Sequence, residues 1–444
     1  MLYKKLAKGI YAVGCVCLLQ TNVSCAQEQN LLPQADTLRL DFRQAEKMFL
    51  DNNLLLLAEH YNIQSSQALV EQARKWDNPI LNTDQNVYSH TDPDVHSKSG
   101  FFVHGTSANG NPEGQVYVQI QQLIKTAGKR GRQIDLARTN VDLAEWQFKS
   151  LLRNLRATLY KDYCTIAQLQ GNAHLYTENM QRLNRLLSAQ GQELQAGNIA
   201  KKEYLRVQAL IISLQQDMTD NAKAMNDAQS ELKTILQITG NKFIQPLLPD
   251  SESAETPQVT LLQLVDSAKR NNTDYQQEVH QLQYNQQNYR LQKALAYPDL
   301  TLGPEFDQNS NYAPNYYGLA ISLPLNLWDR NQGNIKSSRF RVKQEEALVQ
   351  QADQKLQNDV MNVYQKLLYS IQLSSKSNSN FYQDYYRLQK NIIESYNNRQ
   401  ISMIEFLEYF KDYQDIREKQ LQQTLNLRLA KEEVNDVVGV DMIQ

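Results

Sequence analysis

No part of this 444-residue sequence approaches the ~20 consecutive apolar residues that a membrane-crossing helix needs. Glycine and proline are scarce, at 16 and 11 residues. Long tracts rich in Gln, Asn, Leu, Ala and Lys contain almost none of either, which argues against several separate compact cores and for long helices. The formal net charge is only −2 and no long basic stripe occurs, so there is no electrostatic case for a nucleic-acid partner. Of the four cysteines, Cys15, Cys17 and Cys25 fall in or at the edge of an N-terminal leader, leaving Cys164. A structural disulfide is therefore not expected. No G-x-S-x-G, P-loop or paired metal-binding cysteine motif is present, so no catalytic, cofactor or resident metal site is expected and the chain reads as a non-enzyme.

What is present begins at the N-terminus. Lys4, Lys5 and Lys8 precede the apolar run Gly9–Leu19, and Ser24, Cys25 and Ala26 follow. That is the three-part layout of a secretory signal peptide over residues 1–26, cut before Gln27. Cys25 is instead a lipid-attachment residue in the alternative reading, which simple cleavage outranks because Asn22, Val23 and Ser24 before it are an imperfect lead-in.

The remainder is two copies of one unit. Asn52-Asn53 and Pro79 recur as Asn271-Asn272 and Pro298, an offset of 219. Leu123–Ile134 (LIKTAGKRGRQI) matches Pro324–Ile335 (PLNLWDRNQGNI) at an offset of 201, and Gly197–Leu205 (GNIAKKEYL) matches Arg399–Leu407 (RQISMIEFL) at 202. The first copy, residues 27–250, thus carries 18 extra residues (219 − 201) between its proline and its junction. The second copy is residues 251–444. Each copy reads as a helix of about forty residues ended by Pro79 or Pro298, two strands, then a long helical tract interrupted once.

Strands are expected at about 80–90, 115–124, 300–307 and 316–326. Val116, Val118 and Ile120 alternate with Tyr117, Gln119 and Gln121, and Leu319, Ile321, Leu323 and Leu325 share one side. Such strands ordinarily pack on a soluble core. Four of them among helices too long for a compact domain have no obvious core to join, and a lipid-facing sheet must close with further copies of itself. Tyr88, Phe101, Phe102, Tyr117, Tyr316, Tyr317 and Trp328 would suit the two bilayer interfaces. In the helical tracts, Ala144, Phe148, Leu151, Leu155 and Leu159, and again Leu356, Val360, Val363, Leu367 and Ile371, form packing stripes opposite polar faces. A coiled coil without a conduit has the same pattern.

Together these features resemble the TolC outer-membrane factor family over the whole mature chain. The run Pro324, Leu325, Leu327, Arg330, Asn331, Gln332, Gly333 is most like its heavy-metal (CusC/CzcC-type) branch. The resemblance implies a mainly α fold with a small β part. Three chains would build a twelve-stranded β-barrel in the outer membrane, continued by a periplasmic α-helical barrel. It implies passive conduction of substrate, heavy-metal cations in that branch, from an inner-membrane transporter of the RND type and a periplasmic adaptor. Ducts for drugs or for type I secretion share the pattern. A periplasmic coiled-coil adaptor is the rival outside it.

The site residues follow from the same pattern. Pro324, Arg330, Asn331, Gln332 and Gly333, with Lys129 and Arg130 in the first copy, would form the barrel-to-helix junction. Hairpin tips fall at about 194–205 and 396–408. Glu405, Glu408, Asp412 and Asp415 are spaced 3, 4 and 3 apart, along one helix face. A solvated acidic face is the plain explanation. By resemblance, Glu405, Glu408 and Glu203 are an acidic ring at a periplasmic gate, and Tyr396 a latch residue. Ile401 stands where the best-known relative has a basic latch residue, so Arg399 is the substitute candidate. His90, His96 and His104, near Asp92 and Asp94, read as an exposed polar insert rather than a metal site.

Overall fold

The computed structural model describes residues 36–85, 105–106, 112–113, 116–249, 253–310, 313–376 and 379–443. In order these form β1 (Asp36–Leu40), α1 (Phe42–Asn52), α2 (Leu54–Ala73), β2 (Ile80–Gln85), the short β3 (Gly105–Thr106) and β4 (Pro112–Glu113), β5 (Val116–Ile124), α3 (Lys129–Gln195) and α4 (Lys201–Leu236). Then come β6 (Lys242–Pro246), α5 (Leu261–Asn271), α6 (Thr273–Leu295), β7 (Leu300–Asn309), β8 (Pro314–Ser322), α7 (Gln332–Lys376), α8 (Ser379–Asn397) and α9 (Met403–Val438). The architecture is mainly α with a small β part. Among the described residues no helix is long and apolar enough to cross a membrane.

The forty-residue helices expected before the prolines are each two helices. The breaks fall at Asn53 (φ −69, ψ 118) and Asn272 (φ −63, ψ 123). Each asparagine caps the helix that follows: Asn53 Oδ1 accepts from Leu55 N and Leu56 N, and Asn272 Oδ1 accepts from Tyr275 N. Their amide groups reach sideways, Asn53 Nδ2 to the Ile235 carbonyl at 3.0 Å and Asn272 Nδ2 to the Val437 carbonyl at 2.9 Å. Each break is thereby pinned to the end of the last helix of its own copy. A helical asparagine could not do both, because its cap geometry requires an extended ψ.

Three apolar clusters run along the helices. Phe49, Leu159, Tyr163, Ile166, Leu232 and Ile244 centre the first, where Tyr163 Oη also donates to the Leu40 carbonyl at 2.9 Å. Leu183, Val207, Leu214, Phe406, Phe410 and Tyr413 form the second, near the hairpin tips. Leu264, Val360, Leu367, Val434 and Val438 form the third. The two helical stripes seen in the sequence supply residues to the first and third clusters.

The main sheet has four antiparallel strands in the order β2-β5-β7-β8. Its middle pair, β5 and β7, comes from different copies. Among the described residues each outer strand, β2 and β8, has one edge without a partner strand. β8 ends at Ser322, short of the expected 326, because Pro324 has no N–H to continue the ladder. Residues 86–90 of the first expected strand, the three insert histidines, Cys25 and the leader lie outside the described residues.

Candidate functional site

The sheet separates two chemistries. Cross-strand partners share a face. One face carries Asn82, Asp84, Tyr117, Gln119, Gly303, Glu305, Asp307, Tyr316 and Gly318. The other carries Leu81, Val118, Ile120, Leu302, Phe306, Tyr317, Leu319 and Ile321. On the polar face Tyr117 Oη and Gln119 Nε2 both donate to Glu305 Oε2, at 3.0 and 2.9 Å. The apolar face is bare: Leu81, Leu319 and Ile321 are each more than 60% exposed. Tyr317 and Trp328 are exposed. Tyr117 and Tyr316 do not join them. Their strand parity puts them on the polar face opposite Asp307.

The two strand-to-helix junctions use different chemistry. Lys129, the first residue of α3, is buried, and its ammonium donates to Asp299 Oδ1 at 2.7 Å and to the Tyr297 carbonyl at 2.6 Å. Thr126 N donates to the same carboxylate oxygen at 2.9 Å. Burial works to raise the Asp299 carboxyl, yet Lys129 and the Thr126 N–H hold it below its usual range. Arg130 lies 4.4 Å over the Trp76 ring and donates to the Arg74 carbonyl. Lys125 pairs with Asp77 at 3.2 Å.

The second junction is a side-chain-stapled turn. Asn331 adopts φ +59, and its amide donates to the Gln292 carbonyl at 2.8 Å. Gln332 accepts from Arg330 N at 2.8 Å and donates to the Trp328 carbonyl at 3.1 Å. Arg330 Nε donates to the Asn326 carbonyl at 3.1 Å. Among the described residues Gly333 has no atom within 4 Å of where a Cβ would stand, and none of them requires glycine there.

The hairpin tips are built alike. Gly197 (φ +76) and Arg399 (φ +57) hold equivalent left-handed positions after α3 and α8. In the first, Asn198 N donates to the Glu193 carbonyl at 2.9 Å; in the second, Gln400 N donates to the Ser395 carbonyl at 2.8 Å. Both are the reversed-turn cap that normally takes glycine. The starts of the returning helices differ. Ser402 and Glu405 form a reciprocal capping box, with Ser402 N to Glu405 Oε2 at 2.8 Å. The hydrogen bonds from Ser402 hold the Glu405 carboxyl below its usual range. The aligned pair in the first copy is Ala200 and Glu203, and Ala200 offers no such cap.

A cleft of about 610 Å³ at this end is lined by Gln190, Glu193, Glu203, Tyr396, Arg399 and Ser402, among others. Gln190 Nε2 donates to Tyr396 Oη at 2.8 Å, and Arg399 Nη2 lies 3.4 Å from Glu193 Oε2. Burial first, and the charge on Glu203, push the Tyr396 hydroxyl up. The expected tip residues Glu203, Tyr396 and Arg399 therefore meet, from both copies. Glu405 is engaged at the turn, and Glu408 is exposed one helical turn further along α9. Asn53, Asn272, Asp77 and Asp299 carried no role in the sequence reading. The asparagines were visible there as repeat markers, and their extended ψ is the missing signal.

A family model described as outer membrane efflux protein matches residues 47–237 and 264–395. The chain belongs to the outer membrane efflux protein family. Its fold is shared by solved channels of low identity. A CusC structure matches at TM-score 0.71 and 14% identity, covering 93% of this chain and 96% of that one. The outer-membrane channel OprN matches at 0.72 and 13%, covering 90% and 89%. The open-state MtrE channel of Neisseria gonorrhoeae matches at 0.64 and 15%, covering 90% and 89%. A curated relative, the cobalt-zinc-cadmium resistance protein CzcC of Cupriavidus metallidurans, is 23% identical over 222 residues, half of this chain and 52% of that protein. As a family member the chain is an outer membrane efflux protein.

Proposed function

We propose that three copies close the four-stranded sheet into a twelve-stranded barrel in the outer membrane, and that the helices continue as a periplasmic tunnel. The observation carrying this reading is a sheet with one polar face, one bare apolar face and two unpaired edges. In lipid such edges are tolerated only by closure. On this reading the tunnel receives cargo from an RND-type inner-membrane transporter through a periplasmic adaptor. The cargo is heavy-metal cations, a reading supported by the CzcC relative. Residues 1–26 direct export and are removed by cleavage before Gln27.

In a closed ring, three copies each of Glu203, Glu405 and Glu408 would gather at the tip, concentrating negative potential that favours cations. Tyr396 and Arg399 would hold neighbouring hairpins together. Native mass in detergent and conductance in planar bilayers test both parts. A trimer with cation-selective reversal potentials is expected, and Glu405→Gln with Glu408→Gln should weaken that selectivity. Unchanged selectivity would remove the acidic ring from the mechanism, and a soluble monomer would remove the barrel.

A further inference from the structure

The contact between one copy's junction and the other copy's proline turn exists once inside the chain and, as two separated halves, beside the two edges of the sheet. Inside, the first-copy junction covers the second-copy turn: Lys129 and Thr126 grip Tyr297, Pro298 and Asp299, while Arg132 Nη1 donates to the Arg290 carbonyl at 3.1 Å. The first-copy turn lacks that cover from the other copy, although its own junction reaches it through Lys125 to Asp77 at 3.2 Å and Gln122 Nε2 to the Asp77 carbonyl at 2.9 Å. Asn78, Pro79 and Ile80 are exposed beside β2, the strand at one edge of the sheet. The second-copy junction is equally bare. Leu325, Leu327, Trp328 and Arg330 are exposed beside β8, at the opposite edge.

We propose that Arg330 of one protomer clamps the Asp77–Pro79 turn of the next, repeating across the subunit boundary the contact that Lys129 makes within the chain. This rests on the closed-ring reading above. The copy offset of 201 aligns Lys129 with Arg330, and the offset of 219 aligns Tyr297, whose carbonyl Lys129 takes, with Asn78. The match is complementary but not identical. Asp299 aligns with Ile80, so the carboxylate facing the cation must come from elsewhere in the turn; Asp77 supplies one, which Arg330 would share with the Lys125 of that protomer. The helix after Arg330 starts at Gln332, two residues beyond the aligned position. The longer, forked guanidinium therefore enters from the turn rather than from the first helical residue. Gly333, aligned with Arg132, would let the first turn of α7 approach the neighbouring α2 closely, which accounts for a glycine that no described residue of one chain explains.

The test is a disulfide between two different chains. One chain carrying Arg330→Cys and another carrying Asn78→Cys, both with Cys164→Ser, are co-expressed, purified in detergent and oxidised, and native mass is measured on the same sample. A trimer with a two-chain band that neither variant gives alone is the expected result. A trimer without that band overturns the clamp and leaves the ring standing. A monomer overturns both. Independently, Arg330→Glu should lower the temperature at which the trimer dissociates, and Arg330→Lys should lower it less. Equal stability of wild type and Arg330→Glu would also overturn the clamp.

Discussion

Replacing Asn53 with alanine removes two functions from one buried side chain. The oxygen caps α2 through Leu55 N and Leu56 N, and the amide satisfies the Ile235 carbonyl. Loss of an N-cap costs about 1 kcal/mol, and a buried carbonyl left unpaired costs about 1–3 kcal/mol. A total of about 2–3 kcal/mol, after some relaxation, should appear as local rather than global instability. Hydrogen exchange of peptides covering residues 50–60 and 230–240 is the direct assay. Exchange should accelerate roughly 30- to 150-fold in both peptides. Asn53→Asp separates the two functions, since it keeps the cap and loses the donor. Burial, and the Ile235 carbonyl facing it, would raise the new carboxyl above its unfolded value of about 3.9. Its protonated form can donate to that carbonyl. The variant should therefore be most stable below pH ~4 and weaken as pH rises through the raised folded value, whereas the alanine variant should show no such dependence. An acceleration of less than about threefold in Asn53→Ala would refute the assignment.

Other outcomes follow from single contacts. Asp162, buried on α3 near Glu231, has its carboxyl pushed up to about 7, first by burial and then by that neighbour. The stability associated with its protonated form is present below pH ~4 and lost as pH rises through about 7. Asp162→Asn should accordingly stabilise the protein by about 2–4 kcal/mol at pH 8, and by little at pH 4, in paired thermal melts. Arg399→Gly should relieve the left-handed backbone at the second tip at the cost of an exposed ion pair. The net gain is about 0.5 kcal/mol, read as slower exchange at residues 396–403. Lys129→Ala leaves Asp299 without its partner in a partly buried site, and should destabilise the first junction by about 2–3 kcal/mol in denaturant melts.

The duplication, the strand pairs and the helical stripes were legible because each is a periodic or repeated pattern. Residues 116–121 announced their two faces by alternation, and the tip motifs announced themselves by recurrence. What stayed hidden depends on contacts between the copies. Nothing in KTAGKR says that Lys129 is buried, since its partner Asp299 lies 170 residues away. The tyrosines at 117 and 316 were read by residue type, as belt aromatics, when strand parity already placed them with Gln119 and Gly318. The helix breaks were missed because an asparagine pair reads as a tolerable helical residue until its backbone is seen extended.

The offsets between the copies also act as a ruler. From the junction to the hairpin tip the offset changes by one residue, 201 to 202, while the insert between the first two strands has grown by 18. At 1.5 Å of rise per residue, two copies set side by side would place their tips level to about 1.5 Å. A longer insertion in the helical tract of one copy would carry its tip out of that level, by about 1.5 Å for each added residue. Length is therefore free to vary in the strand-to-strand inserts and constrained between the junctions and the hairpin tips.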